Sequence, residues 1–186
     1  WATKILLLFV LPRHRRCRVR RRRSLGAISR RHPHEPGLSV PPMGLAYIGA
    51  SLEAQGHSVQ ILDAYALRWS WKRFSKAIAQ ARPQVLGLTA MTPTADTAAR
   101  AIQIASPFVK HIVLGGPHPT AIGQEIFSQL PDLDASVIGE GEDIACALLE
   151  WWEKGSIGLP PPGVRTANHE YRAAASPPDI HRIRRP

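Results

Sequence analysis

The stretch Gln84-Val85-Leu86-Gly87-Leu88-Thr89 is short and apolar, and turn residues border it on both sides. Its length and composition are typical of a β-strand that is buried on both faces. Thr92-Pro93 follows closely, and proline suits the first position of a helix. The order of strand, loop and helix start predicts one unit of an α/β fold.

Four further runs share this composition, and they occupy residues 4–10, 58–63, 110–115 and 134–139. The starts of the five runs are 54, 26, 26 and 24 residues apart. That spacing is typical of strand–helix–strand units. The chain therefore predicts five such units in succession, the first with a longer connection than the rest.

The segments between the runs have the features of helices. The predicted helices cover 45–52 and 71–81 and begin at Thr92-Pro93, at Pro119 and at Glu142-Asp143. Gly56 is suited to end the first of them. Ile122, Ile126 and Leu130 lie on one face of the fourth. Acidic residues in the first turn of the fifth interact favourably with the helix dipole.

Five such units predict a flavodoxin-like α/β fold, with a doubly wound five-stranded parallel sheet of order 2-1-3-4-5. The alternative is another ligand-binding doubly wound domain. Either fold binds ligands beyond the carboxyl ends of its strands. We assign residues 1–158 to this domain. Residues 159–186 are predicted to be a linker, a segment compatible with a small C-terminal hairpin around Asn168, and a tail without periodicity.

The net charge of +10 comes from one segment of the 186-residue chain. Ten arginines and no acids lie in residues 13–31, and the rest of the chain has 14 basic and 14 acidic residues. This segment belongs to a basic insert, residues 12–41, in the first βα loop. Clustered arginines are able to bind nucleic acid, so the alternative function is a basic nucleic-acid-binding α/β module. The lack of interleaved aromatic residues favours a solvated loop or a reading-frame error instead.

Several classes of protein are excluded by missing motifs. No apolar run approaches the ~20 residues of a membrane span, and no signal-peptide cleavage site occurs, so a cytoplasmic location is expected. No P-loop is present, and Gly139-Glu140-Gly141 is only half of a dinucleotide-binding fingerprint. The acids of a phosphate-accepting receiver domain are also missing from the ends of the first and third strands.

Four loops at the predicted ligand edge carry glycines, prolines or hydroxyls. They are PPMG at 41–44, TAMTPT at 89–94, GGPHPT at 115–120 and GEGE at 139–142. Glycines allow a flat or bulky ligand to approach the backbone closely. Hydroxyls and free amides at helix starts bind the polar parts of such a ligand. Their shared edge favours a binding site over four unrelated turns.

The order of these segments resembles the cobalamin-binding domain at the N-terminus of cobalamin-dependent radical S-adenosylmethionine enzymes. The match covers roughly residues 40–155 and the first strand, and the pair GGPHPT and GEGE at this separation carries most of it. The resemblance implies a cobalamin cofactor and no catalytic residue on this chain. It also implies a radical domain, in the same chain or as a partner, that would hold a [4Fe-4S] cluster and S-adenosylmethionine.

The resemblance implies a set of cofactor-binding residues. Gly115 and Gly116 match the glycine pair that admits the dimethylbenzimidazole tail between strands and helices, and Thr89 and Met91 match the element that lines this tail. The loop of residues 139–141 matches one near the corrin edge. The full set is Gly44, Thr89, Met91, Thr92, Gly115, Gly116, Pro117, His118, Thr120, Gly139, Glu140 and Gly141.

Two departures from related domains stand out. The Asp-x-His-x-x-G signature that supplies a histidine to cobalt is absent, so the cobalt is predicted to lack a histidine from the protein. His14, His32 and His34 in the insert are the alternative ligands, and His118 is interpreted as a turn residue or a tail contact. No metal site is assigned.

The CxxxCxxC motif of radical enzymes is also absent, since the chain has only two cysteines. Cys17 lies in the insert, and Cys146 is predicted to be a small buried hydrophobe. We therefore expect the chain to lack turnover alone, as the cobalamin part of a split, truncated or separately expressed methyltransferase-like enzyme.

Overall fold

The five apolar runs form parallel strands of one sheet in the computed structural model, which describes residues 3–9, 42–64 and 66–175. The strands are β1 Lys4–Phe9, β2 Ser58–Asp63, β3 Val85–Thr89, β4 His111–Gly115, β5 Ala135–Val137 and β6 Val164–Arg165. The helices are α1 Met43–Ala54, α2 Trp71–Ala81, α3 Ala95–Ala105, α4 Pro117–Ile122, α5 Ile126–Gln129 and α6 Gly141–Glu153. The insert, with its arginines, Cys17 and three histidines, lies outside these described residues, as does the tail from residue 176.

The sheet has the order β2-β1-β3-β4-β5-β6 within the described residues. The first five strands are parallel, which confirms the predicted order 2-1-3-4-5. The predicted strand count was one too low, because β6 pairs antiparallel with β5. A strand of two residues has no periodicity that a sequence pattern can reveal. Its place depends on pairing with β5, where Val137 pairs with Val164, and on the hydrogen bond from Ile138 N to Gly163 O at 2.9 Å, just beside the two strands.

The predicted hairpin around Asn168 is present only as a single antiparallel bridge between Thr166 and His169. Its first arm is the strand that joins the main sheet. Gln124, which follows α4, also binds this segment, because its side-chain amide donates to Thr166 O at 2.8 Å. The chain after α6 therefore packs against the sheet domain, and Ala174 also contacts the core formed with α1 and α6.

Side chains of the strands alternate between two cores, one on each face of the sheet. Leu6, Leu86, Leu88, Ile112 and Leu114 contact α2, α3 and α5 on one face. The second core, on the other face, contains Ile5, Leu7, Val85, Ala135 and Val137 with α1 and α6. This two-sided burial explains why the strands read as continuous apolar runs.

Gly56 follows the end of α1 as predicted, whereas the Ser70 cap of α2 was not predicted. Gly56 has φ +89°, a conformation in which glycine has no steric cost. Ser70 caps α2, since its hydroxyl accepts a hydrogen bond from Arg73 N at 3.3 Å. Pro83 comes directly after the left-handed Arg82 that ends this helix.

The fourth predicted helix was wrong in its start and its continuity. It begins at Pro117 rather than Pro119, because Gly116 turns the chain with φ +99° and a proline then occupies the first helical position. Gly123, with φ +73°, interrupts it. Ile126 and Leu130 are nevertheless buried in the core, as their spacing predicted. Thr92-Pro93 starts a 3-10 turn, and α3 follows from Ala95.

Candidate functional site

A cavity of about 430 Å³ lies between the sheet and the helices α1 and α6. Its floor is the second-core face of the strands, formed by Ile5, Leu7, Val85, Gly87, Thr89, Val113, Gly115 and Val137. Its roof consists of Leu45, Ile48 and Leu52 from α1 and of Ala145, Leu148, Leu149 and Trp152 from α6. The cavity therefore extends under the helices from the carboxyl ends of the strands, where the fold predicts a ligand.

Two glycines on the strands leave space between the sheet and the helices, because they have no side chain to fill it. Gly87 and Gly115 lie on the cavity face of neighbouring strands, each at the position where a side chain would rise toward the helices. A Cβ at Gly87 would approach Leu7 Cδ2 to 2.8 Å. A Cβ at Gly115 would have its nearest neighbour, Val137 O, at 3.8 Å. Glycine inside a buried strand commonly marks a close approach by a ligand or by another backbone.

Gly116 links two loops at the mouth of the cavity. Its φ of +99° is unfavourable for any other residue, and a Cβ would lie 2.7 Å from both Ala90 O and Thr89 Oγ1. Backbone hydrogen bonds join Ala90 N to Gly115 O and His118 N to Ala90 O, each at 3.0 Å. Thr120 Oγ1 donates to Gly116 O at 2.9 Å. These bonds fix the loops after β3 and β4 to each other.

Seven of the twelve predicted cofactor residues line this cavity, namely Gly44, Thr89, Gly115, Gly116, Gly139, Glu140 and Gly141. Five do not, namely Met91, Thr92, Pro117, His118 and Thr120. Met91 is 46% exposed, and Thr92, Pro117 and Thr120 are also at the surface. His118 is buried in α4, and its Nδ1 has no hydrogen-bond partner among the described residues.

The sequence patterns missed the apolar body of the cavity. The side chains of Leu148, Leu149 and Trp152 were indistinguishable from ordinary core residues, because the same periodicity serves both. Gly87 was the available signal, since glycine is unusual in the middle of an otherwise apolar strand.

Acidic side chains stand at the mouth of the cavity. Glu140 is exposed and precedes α6, and Glu142 lies in the first turn of that helix. The Oε2 atom of Glu142 is buried and has no hydrogen-bond partner in the described part of the chain. With Thr89, these residues supply the polar side chains of the lining, whereas the interior is hydrocarbon.

An aromatic pair lies at the opposite end of the cavity. The rings of His111 and Trp152 stack with centroids 4.3 Å apart and an angle of 6° between their planes. Burial lowers the pKa of His111, and the nearby Asp134 carboxylate opposes this effect. Trp152 lines the cavity and also a second pocket of about 80 Å³, which His111 lines as well. The neutral imidazole thus packs against the indole that closes the cavity.

No group of three or more histidine, cysteine or acidic residues in residues 3–9, 42–64 and 66–175 is arranged to hold a metal ion. None of the described helices combines the length and apolarity that a membrane span requires.

Cys146 is buried in α6, as the sequence predicted. Burial, with smaller effects of Asp143 and Glu150, raises the pKa of its thiol to about 11. The thiolate is the reactive form, so only about one thiol in a thousand would be reactive at pH 8. We expect iodoacetamide to leave Cys146 unmodified in the folded chain and to modify it in urea, as measured by peptide mass spectrometry. Equal modification in both conditions would contradict this prediction.

A family model described as the B12 binding domain matches residues 34–149. The chain belongs to the B12-binding domain family. The match confirms the resemblance that the pair GGPHPT and GEGE indicated. It includes α1 and the part of α6 up to Leu149, and so all of the roof residues of the cavity except Trp152.

Curated relatives of this B12-binding domain are much longer proteins. An uncharacterized methyltransferase of Pyrococcus horikoshii is 35% identical over 130 residues, which are 66% of this chain and 28% of that protein. An anaerobic magnesium-protoporphyrin IX monomethyl ester cyclase of Rubrivivax gelatinosus is 33% identical over 133 residues, or 67% of this chain and 24% of the cyclase. The chain thus spans about a quarter of the length of these relatives.

Solved structures share the fold of this B12-binding domain. The radical S-adenosylmethionine methyltransferase TsrM from Kitasatospora setae matches 94% of the chain with 31% of its own, at a TM-score of 0.67 and 19% identity. The cobalamin-dependent S-adenosylmethionine radical enzyme OxsB, solved with aqua-cobalamin, matches 94% of the chain with 22% of its own, at a TM-score of 0.66 and 14% identity. Both matches confirm the architecture.

Proposed function

We propose that this chain binds cobalamin with its nucleotide tail in the cavity between the sheet and α1 and α6. The observation that carries the proposal is the cavity of about 430 Å³ itself, kept open on the strand side by Gly87 and Gly115. Ligand cavities of this size, with an apolar interior and few polar groups, suit one elongated organic group. The residues present therefore fit an aromatic base inside and a polar macrocycle at the mouth.

The mouth offers polar groups suited to the amide-rich edge of a corrin. The loop of residues 139–141 and the glycine pair 115–116 present backbone at the surface end of the cavity. Thr89 adds a hydroxyl, and the unpartnered Glu142 Oε2 is an acceptor for an amide N–H. In this proposal these groups orient the macrocycle, while Leu45, Ile48 and Leu149 exclude water from the tail.

We further propose that the protein supplies no histidine to the cobalt. No imidazole lines the cavity among the described residues, since His111 borders only the smaller pocket. His118 is buried in α4 and does not line the cavity. The base of the tail, held in the cavity, would be unable to coordinate the cobalt, so the cofactor would be bound base-off.

The whole enzyme would use this domain as its cobalamin carrier. Bound cobalamin supplies a cobalt centre that can accept and donate a methyl group. Two cysteines are too few for the three-cysteine motif of a radical cluster, so the [4Fe-4S] cluster and S-adenosylmethionine would belong to a radical domain in cis or in trans. Methyl transfer is the reaction class that the Pyrococcus relative supports, and the chain alone would have no turnover.

The proposal is tested by incubating the full chain with hydroxocobalamin, desalting it and recording the visible spectrum. We expect cobalamin to remain with the protein and to show the spectrum of a base-off form without a nitrogen ligand. Complete loss of the cofactor on desalting at micromolar protein would refute binding. A retained cofactor with a nitrogen-coordinated spectrum would leave binding standing and refute the proposed mode, in which neither the base nor a histidine coordinates the cobalt.

A further inference from the structure

The cavity differs in chemistry between its mouth and its deep end. It follows β3 from Thr89 at the mouth to Val85, a length of about 13 Å at the rise of a parallel strand. Along α6 it extends from Gly141 to Trp152, about 16 Å at the rise of an α-helix. The acidic and hydroxyl side chains of the lining, Thr89, Glu140 and Glu142, are all at the mouth.

The deep half has no hydrogen-bond acceptor among the described side chains that line it. Its lining consists of Ile5, Leu7, Val85, Leu148, Leu149 and Trp152. The indole N–H of Trp152 is the one side-chain donor in that set. Backbone groups of β1 and β3 are engaged in the parallel ladder that joins these strands. A polar group that reached this depth would therefore lose its water without gaining partners.

Trp152 ends the cavity. It is 8% exposed and contacts both the cavity and the small pocket beyond it. Its ring is held in place by the stacked His111, whose Nδ1 is buried and has no hydrogen-bond partner in the described residues. The far end of the cavity is therefore a fixed aromatic surface rather than an open channel.

We propose that this deep end selects cobamides by their lower base, favouring benzimidazole over purine, with Trp152 as the specificity-determining residue. The inference rests on the proposed placement of the nucleotide tail. A tail-linked benzimidazole has one unsubstituted ring nitrogen, which the single indole N–H is able to satisfy. A tail-linked adenine has three such nitrogens and an amino group, and the deep half offers that amino group no acceptor.

The expected discrimination is moderate. An apolar site that receives an additional polar group without a partner typically loses about 10- to 100-fold in affinity. We therefore expect the adenine-containing cobamide to bind 10- to 100-fold more weakly than cobalamin. Cobinamide, which has no nucleotide tail, should bind more weakly than either.

Equilibrium dialysis of the full chain against hydroxocobalamin, its adenine-containing counterpart and cobinamide tests this selection. A preference of tenfold or more for the benzimidazole form supports the inference. Equal affinities for the two tailed forms would overturn it and leave the proposed function standing. Failure of all three to bind would overturn the proposed function and, with it, this inference.

Variants of Trp151 and Trp152 test whether Trp152 is responsible for the selection of the lower base. Trp152→Leu should lower the affinity for cobalamin about tenfold and leave that for cobinamide unchanged, since only the tailed form reaches this depth. Trp152→Phe keeps an aromatic surface but removes the indole N–H, so it should also lower the affinity for cobalamin, by less than Trp152→Leu, and leave that for cobinamide unchanged. Trp151→Leu is the matched control, because Trp151 is on the same helix and outside the cavity lining.

The cobinamide measurement separates recognition of the base from a general structural effect. Equal losses for cobalamin and cobinamide in Trp152→Leu would show that the residue acts through the fold, and this would overturn its role in selection. An unchanged cobalamin affinity in that variant would overturn it as well. If Trp152→Leu does not fold, the three corrinoids on the unmodified chain still decide the base preference, and Trp152→Phe still tests the role of Trp152.

Discussion

Replacement of Gly115 by leucine is expected to weaken cobalamin binding at least ~100-fold while the domain stays folded. Gly115 ends β4 on the cavity face, and the nearest atom to an added Cβ is 3.8 Å away. The residue does not have a positive φ, so its backbone accepts a side chain without strain. A leucine there would extend into the space that we assign to the nucleotide tail.

The measurement is equilibrium dialysis with hydroxocobalamin, with thermal unfolding recorded on the same preparations. We expect the midpoint of unfolding to be unchanged or raised, because filling a cavity adds apolar contacts. Gln103→Leu is the control, since Gln103 is exposed on α3, which packs on the opposite face of the sheet. Affinity equal to that of the unmodified chain in Gly115→Leu would place the tail elsewhere.

Replacement of Gly116 by alanine is expected to lower the free energy of unfolding by about 2–4 kcal/mol. Its φ of +99° disfavours any side chain, and the new Cβ would meet Ala90 O and Thr89 Oγ1 at 2.7 Å. One of those atoms belongs to the backbone, which is unable to move without disturbing the paired loops after β3 and β4. Urea denaturation measures the loss.

Gly56→Ala separates the cost of the positive φ from the cost of the steric contact with the loop after β3. Gly56 has φ +89° but nothing within 4 Å of an added Cβ, so its replacement costs only the unfavourable backbone conformation, about 1–2 kcal/mol. We expect Gly116→Ala to cost clearly more. Equal losses in the two variants would mean that the loops give way easily and that the contact with Ala90 has little effect.

Gly115 and Gly116 therefore have different roles, since only Gly115 has space around an added side chain. The resemblance implied that Gly116 leaves room for the nucleotide tail. In the structure the first obstacle to a side chain at Gly116 is the protein itself, since the Cβ would meet the loop after β3. A loss of binding after replacement of Gly116 would therefore report on folding, whereas Gly115 reports on the cavity.

Local patterns predicted most of the secondary structure. The bounds 58–63 and 71–81 agree with β2 and α2, and the starts of β3, β4 and β5 differ from the prediction by one residue. Buried strands and capped helices depend on neighbours within a few positions, so their signals are present in the sequence. The interrupted helix after β4 was missed because the apolar spacing of Ile122, Ile126 and Leu130 continues across the break at Gly123.

The edge of the sheet that carries the site was also predictable. Parallel strands joined by helices must place all of their carboxyl ends together, so the loops beginning at Thr89, Gly115 and Gly139 were brought to one edge by topology alone. The same rule gave no information on which loop residues face inward. Met91, Thr92, Pro117, His118 and Thr120 belong to those segments and do not line the cavity.

The amino-acid sequence by itself determined the parallel α/β order, the ligand edge and the B12-binding resemblance, because these depend on periodicity, chain connection and short motifs. Only the tertiary structure decided that a cavity lies beneath α1 and α6, that β6 joins the sheet and that Trp152 closes the deep end. A cavity is the space left when two packed layers fail to meet. That space depends on residues far apart in the chain, such as Gly87 and Trp152, whose distance no local pattern encodes.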